Sequence, residues 1–342
     1  FAEFMRRLAW GVVVTLAATP AFAAESIFVW PDDGDPNTFI GWDSPAVWAG
    51  GVPGSGDRAV IESGGEILAV TGGPNSSGGP DPLVIEDVVI GRSVGPQASL
   101  RIGGVGTLSG LNTSVDLMVT DDLIVGDAGT GFVRQSGSTV TIGDQLVIAA
   151  QAGSLGEYEL NDGVLNMAGG DIRVGQGTGG FDFNNGTLRN PRTIDLNGQD
   201  FVQEGGVFLR DGGGTGTTTI AGSYGLTLGA EVVHQDRRII VDESLLMNGG
   251  TYDLTASSAT LVVRETLWVQ GLGSNAAFDL QDGLVDANRS AAFFNGLLVG
   301  TNSGVADADV DQGVGTMRVL NGELRLLAAA GGSATYDFTG GT

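Results

Sequence analysis

Short alternating runs of apolar and polar residues, punctuated by glycine, recur through most of this chain. They are clearest between Asp121 and Arg189. Asp122-Leu-Ile-Val-Gly126 leads to Gly131-Phe132-Val133 and then Thr139-Val140-Thr141-Ile142. Gln145-Leu-Val-Ile-Ala149 leads to Gly156-Glu-Tyr158-Glu-Leu160 and Asp162-Gly163-Val164-Leu165. Asp171-Ile-Arg-Val-Gly175 leads to Gly180-Phe181-Asp-Phe183 and Asn185-Gly186-Thr187-Leu188. Each copy reads strand, turn, strand, turn, strand. The equivalent small residues Gly126, Ala149 and Gly175 lie 23 and 26 positions apart. A period in the twenties built of short strands predicts a solenoid.

Strand side chains alternate between two faces. Val140 and Ile142, and likewise Tyr158 and Leu160, are therefore expected to point inward. The Gly, Asn-Gly and Asp-Gly positions supply the positive φ of tight corners. Asp162-Gly163 and Asn185-Gly186 also fit hairpin turns, which would give an antiparallel sandwich or barrel. The coil is preferred because the strands recur in the same order in every copy. The fold class read here is all-β: a parallel β-helix of about a dozen rungs, of order 60 Å long at roughly 4.8 Å per rung. No sustained period of 3.6 follows the first residues, so few helices are expected.

The looser copies run from Val88-Val-Ile-Gly91 through Gly249-Gly-Thr-Tyr252-Asp-Leu254 to Gly315-Thr-Met-Arg-Val319. Residues 83–342 are read as the β-helical repeats. The chain stops at Tyr336-Asp-Phe-Thr-Gly-Gly-Thr342, within a copy, and truncation at the C-terminus is expected. Residues 24–82 are read as a capping region and loop, with Trp30, Trp42 and Trp48 as an aromatic cap over the first coil. The same tryptophans would also suit stacking on sugar rings. Residues 1–23 are read as a signal peptide with extra N-terminal residues. Arg6-Arg7 is its charged start, Leu8 to Ala18 its apolar run and Ala21-Phe22-Ala23 its cleavage site. The mature chain is expected to begin near Ala24 and to carry no stable membrane span.

Composition narrows the function classes. The chain has 342 residues with 59 Gly, 42% hydrophobic residues and 16% charged residues. That suits a large core with many turns, not a disordered acidic tail. The formal net charge is -24 and every basic residue is Arg, which argues against a nucleic-acid partner. With no Cys, disulfides, zinc-thiolate sites and a Cys nucleophile are excluded.

Candidate chemistry is sparse. In a parallel coil a repeated acid becomes a ladder. Asp87, Asp122, Asp144 and Asp171 each stand near the start of a strand, and stacked carboxylates would suit Ca²⁺. Turn capping by each Asp is the preferred reading. Asp211-Gly-Gly-Gly-Thr-Gly216 only vaguely matches a calcium-binding nonapeptide. His234, the single His, with Asp236-Arg237-Arg238 forms the densest polar cluster and is read as a solvated surface group. Asp127 and Arg134 are read the same way. Nucleophile-elbow, zincin and P-loop motifs are all missing. No residue is assigned as catalytic, cofactor-binding or metal-ligating.

The pattern Trp42…Trp48-x-x-Gly51-Val-Pro53-x-x-Gly56-Asp57, the leader, and the Leu-Ile-Val-Gly and Asn-Gly-Thr-Leu copies resemble exported bacterial β-strand repeat proteins. These carry autotransporter-associated β-helical repeats, often with a PEP-type sorting signal. The resemblance implies a right-handed parallel β-helix outside the cell or at its surface, and it supplies no catalytic residues. The expected function is a non-enzymatic structural or adhesive rod (an adhesin) that presents long polar faces to glycans or to cell-surface and matrix components. The alternative is a carbohydrate-active β-helix enzyme, a polysaccharide lyase or hydrolase. A remote third reading, an ice-binding face, rests on Thr139-Val-Thr141 and Thr217-Thr-Thr219.

Overall fold

The computed structural model describes residues 24–28, 40–41, 48–62, 65–69, 82–95, 97–103, 116–211, 216–270, 276–281, 284–287, 296–300, 307–313, 316–319, 323–327 and 333–340. The signal-peptide region, Trp30, Trp42 and nearly all of the loop 72–82 lie outside the described residues.

The strands stack into three faces. The first is a sheet of thirteen strands among the described residues. It begins with β1 (Glu25–Phe28), β4 (Arg58–Ile61), β7 (Asp87–Ile90), β10 (Asp122–Val125), β12 (Gln145–Ile148) and β14 (Asp171–Val174). It continues with β17 (Thr193–Asp195), β20 (Thr217–Ala221), β23 (Arg238–Val241), β26 (Thr260–Val263), β29 (Leu284–Ala287) and β32 (Thr316–Val319). All of these pair in parallel. The exception is β3 (Trp48–Ala49), which lies antiparallel on β1 at the edge of the sheet.

The second face stacks β2 (Ile40–Gly41), β5 (Gly65–Ala69), β8 (Ala98–Ile102) and the first halves of β11 (Thr130–Ile142) and β13 (Leu155–Asn166). It goes on through β15 (Thr178–Phe183), β18 (Phe201–Gln203), β21 (Tyr224–Leu226), β24 (Leu245–Met247), β27 (Leu267–Val269), β30 (Gly296–Gly300) and β33 (Glu323–Leu327). The third face stacks β6 (Leu83–Ile85), β9 (Leu117–Val119), the second halves of β11 and β13, β16 (Thr187–Arg189) and β19 (Gly206–Arg210). It ends with β22 (Ala230–His234), β25 (Gly250–Leu254), β28 (Ala276–Leu280), β31 (Asp307–Gln312) and β34 (Ser333–Phe338). Each strand of these faces pairs in parallel with its equivalent in the next coil.

The chain is thus an all-β parallel β-solenoid. The hairpin alternative fails where it was most explicit. Gly163 and Gly186, both at φ 86°, turn corners between faces, and the strands around them pair in parallel. At Gly163 a Cβ would lie 2.3 Å from the Ser138 carbonyl oxygen, so glycine is needed for the close approach as well as for φ.

The inward alternation holds. Val140, Ile142, Tyr158 and Leu160 are all buried. Val88, Leu123, Leu146, Ile172, Ile194, Ile220, Val241 and Val263 form one aliphatic column behind the first face. Behind the second face Tyr158, Phe181, Phe201 and Tyr224 form an aromatic column, with centroids 5.7, 6.2 and 4.9 Å apart. Like stacks on like because the register is conserved from coil to coil. Gly126, Ala149 and Gly175 share one place at the end of the first-face strands, each N–H donating to the coil before.

Polar groups enter this core in a repeated arrangement. The Gln135 amide donates to the carbonyls of Ser138 and Val164 at 3.2 and 3.0 Å and accepts the Tyr158 hydroxyl at 2.7 Å. The Gln203 amide donates to Gly206 and Glu231 carbonyls at 2.8 and 3.1 Å and accepts the Tyr224 hydroxyl at 2.5 Å. Gln312 accepts the Tyr336 hydroxyl. In the remaining case His234 replaces glutamine: Nε2 lies 3.1 Å from the Arg237 carbonyl and Nδ1 lies 3.1 Å from the Tyr252 hydroxyl. Every one of the chain's four tyrosines is used this way. Each sits two residues before the one stacked on the glutamine or histidine. Ser138, Gly206 and Arg237, whose carbonyls are held, have φ of 61°, 71° and 69°. We refer to this unit as a corner clamp.

Candidate functional site

Among the described residues, strand register gathers carboxylates at three places on the outer surface. The first lies where the chain enters the first face. One carboxylate oxygen from each of Asp121, Asp122 and Asp144 lies within 4.8 Å of the other two. Burial raises the Asp122 carboxyl to about 6, reinforced by the charges of Asp121, Asp144 and Asp87. Burial, Asp87 and Asp144 push Asp121 up as well. One Asp122 oxygen, Oδ1, is buried without a partner. Chemically, three such oxygens are close enough to share one hard cation of the Ca²⁺ type.

This is not the simple four-Asp ladder weighed against turn capping in the sequence. Asp87, Asp122 and Asp171 do occupy one column, but Gln145 stands between Asp122 and Asp171. Asp144 precedes that column by one residue and stacks on Asp121 instead. Arg partners take both ends. Arg58 Nε lies 3.7 Å from Asp87, and Arg192 holds Asp171 through two bonds of 2.9 and 2.7 Å. Burial pushes the Asp171 carboxyl up, but Arg192, Thr193 and Arg173 together hold it below the usual range.

The second group is a row on the outside of the third face. Asp253, Asp279, Asp311 and Asp337 stack in direct register over four consecutive strands. Burial, Asp279 and Glu231 raise Asp253, and burial with Asp279, Asp337 and Asp309 raises Asp311. Asp279, Gln281, Asp311, Gln312, Asp337 and Thr339 line a shallow depression of about 360 Å³ there. Sequence reading passed over this row. Its signal was present in Tyr252-Asp-Leu, Phe278-Asp-Leu and Tyr336-Asp-Phe, where an inward aromatic fixes an outward Asp.

The third group is on the second face. Glu157 lies within hydrogen-bonding reach of Asp182 and Glu159, and burial with those two neighbours raises it. Glu159 is lowered, chiefly by Arg134, which donates to it at 2.5 and 3.1 Å. Asp182 also borders a groove of about 150 Å³ with Asp200, Val202 and Glu204. Two carboxyls driven apart are the pattern of an acid–base pair. However, glycoside hydrolysis needs roughly 5 Å or more between them to admit the bond. Carboxyls in hydrogen-bond contact leave no such room.

Of the polar cluster at His234, the histidine alone proves to be internal. His234 is 0% exposed, as the last inward residue of β22. Its neighbours Asp236, Arg237 and Arg238 are at the surface, where the cluster was expected. One strand below, in register, Arg210 is 1% exposed. Its guanidinium donates to Asn190 Oδ1 at 3.1 Å and the Gly216 carbonyl at 2.7 Å, and Nε has no partner. Burial lowers its pKa, Arg237 adds to this, and Asp236 and Asp211 oppose it. Asp127 is an exposed acceptor for Gln151. Trp48 is buried in the core, so it offers no sugar platform. No helix among the described residues is long and apolar enough to cross a membrane. No protein-family model matches the chain, and no curated protein or solved structure matches it either.

Proposed function

We propose that this chain is an exported, non-enzymatic structural or adhesive rod that displays rows of polar side chains to glycans or to cell-surface and matrix components. The carrying observation is the in-register stack Asp253–Asp279–Asp311–Asp337, a row of like groups on one face. A repeated row suits many weak contacts with a polymer, where avidity replaces single-site affinity. A leader at residues 1–23, an N-terminal aromatic cap over 24–82, right-handed winding, and an extracellular or cell-surface location belong to this same proposal. They rest on the resemblance to exported β-strand repeat proteins.

The test is an array of polymeric glycans and matrix components probed with the full chain and with the D279N/D311N/D337N variant. Binding should rise steeply with ligand length and fall in the variant. Equal binding of monomeric and polymeric ligands, or none, overturns the proposal.

A further inference from the structure

Gln135 and Gln203 each also hold a carbonyl of the next coil, which His234 does not, but the clamps differ most in whether they can titrate. Gln135, Gln203 and Gln312 have no proton to gain, whereas His234 does. We propose that the His234 clamp is an acid-sensitive release built into one corner of the solenoid, opening the β22–β23 turn while the glutamine clamps stay closed.

The closed clamp fixes the tautomer. A carbonyl only accepts, so His234 Nε2 must carry the proton it gives to Arg237, and Nδ1 must be bare to accept from the Tyr252 hydroxyl. Protonating Nδ1 turns that acceptor into a donor. The Tyr252 hydroxyl must then rotate to accept, and its own proton loses the acceptor that it had. An unmatched buried donor is costly.

The surrounding charges add to this. From β19, Arg210 faces His234 in register, buried and in no ion pair with a described acid. From β25 comes Tyr252, and from the turn come Arg237 and Asp236. Two acids face this corner: Asp211, which acts on Arg210 and is held by Arg189 and Asn190, and Asp236, which is engaged by the Arg237 N–H at 2.8 Å and by the Arg237 side chain at 3.2 Å. Glu231 and Asp253 alternate to the outer side of their strands. A second cation beside Arg210 therefore finds little compensation.

The released turn also has somewhere to go. Arg237 is a non-glycine residue at φ 69°, a conformation that relaxes once its carbonyl is freed. Burial lowers the closed-state imidazole to about 4, with Arg210 adding to the effect and the Arg237 carbonyl opposing it. An open-state imidazole titrates near 6.5. The population of the open corner should thus rise about tenfold per pH unit on acidification between those values, on the order of 10²-fold in all.

Hydrogen exchange of the full chain at pH 7, 6, 5 and 4.5, comparing wild type with H234Q, tests this. Glutamine rebuilds the clamp seen at Gln135 and Gln203 without the titration. Exchange at amides 236–242 in wild type, divided by that in H234Q at the same pH, should rise about tenfold per unit below pH 6, while the ratio at 136–142 stays near one. A flat ratio, or an equal rise at both corners, overturns the proposal. If H234Q does not fold, wild type alone decides. After division by intrinsic rates, opening at 236–242 must steepen with acid relative to 204–210, and parallel profiles overturn the proposal.

Discussion

Replacing Tyr158 by Phe isolates one corner clamp. The ring stays in the aromatic column, 5.7 Å from Phe181, and only the hydroxyl is lost. That hydroxyl is the donor to Gln135 Oε1, and both side chains are fully buried. An orphaned buried acceptor costs about 1–3 kcal/mol, against about 1 kcal/mol for an ordinary hydrogen bond exposed to water. Gln135→Met should cost more, about 2–5 kcal/mol, because it frees the carbonyls of Ser138 and Val164 and also orphans the Tyr158 hydroxyl. In the double variant neither orphan side-chain group remains, so its cost should fall below the sum of the singles by about 1–2 kcal/mol. Long repeat arrays need not unfold in one step, so native-state hydrogen exchange is a better assay than a global melt. Y158F should lower protection about tenfold or more across β11 and β13, since 1.4 kcal/mol is a factor of ten, and leave β25 and β28 unchanged. Strict additivity of the two substitutions, or uniform loss along the whole chain, would show that the clamp is not the unit described here.

Two further outcomes follow from the packing and the charges. Gly179→Ala would place a Cβ 1.9 Å from the Gly156 carbonyl oxygen, backbone against backbone, and should cost about 3 kcal/mol or more. Its neighbour Gly180→Ala, whose Cβ meets only Asp182 Oδ1 at 3.8 Å, should be close to neutral, and a thermal melt of the pair checks both. Asp122 binds its proton more tightly in the folded chain, at about 6, than in the unfolded chain, near 3.9. Its favourable contribution is complete below pH 3.9 and lost as pH rises through about 6, so the ionised form is the destabilising one at neutrality. Asp122→Asn should raise Tm at pH 7.5 and leave it nearly unchanged at pH 4, and an equal shift at both values would contradict the assignment.

Much of the architecture was legible because period-two alternation needs no tertiary information. Thr139-Val140-Thr141-Ile142 showed which side chains go in, and the recurring strand order favoured parallel stacking over hairpins at Asp162-Gly163. Register was harder to read. A single-residue offset between Asp122 and Asp144 separates two columns, and only the pairing of Asp122 with Gln145 reveals it. His234 was misplaced for a related reason: its charged neighbours suggested solvent, yet Ala230, Val232 and His234 alternate inward. The Asp253 row and the glutamine–tyrosine clamps depend on contacts between coils, and irregular repeat lengths disguise these in the linear order.

The clamps also bear on how such a chain can change length over time. Each glutamine or histidine depends on a tyrosine supplied by the turn of chain that comes after it, so adjacent units are matched like a plug and its own socket. Excising the unit around Tyr158, or inserting an unrelated one before it, would strand Gln135. Recombination should therefore be tolerated at seams such as β26 to β27, which no clamp among the described residues bridges, and penalised within each matched pair.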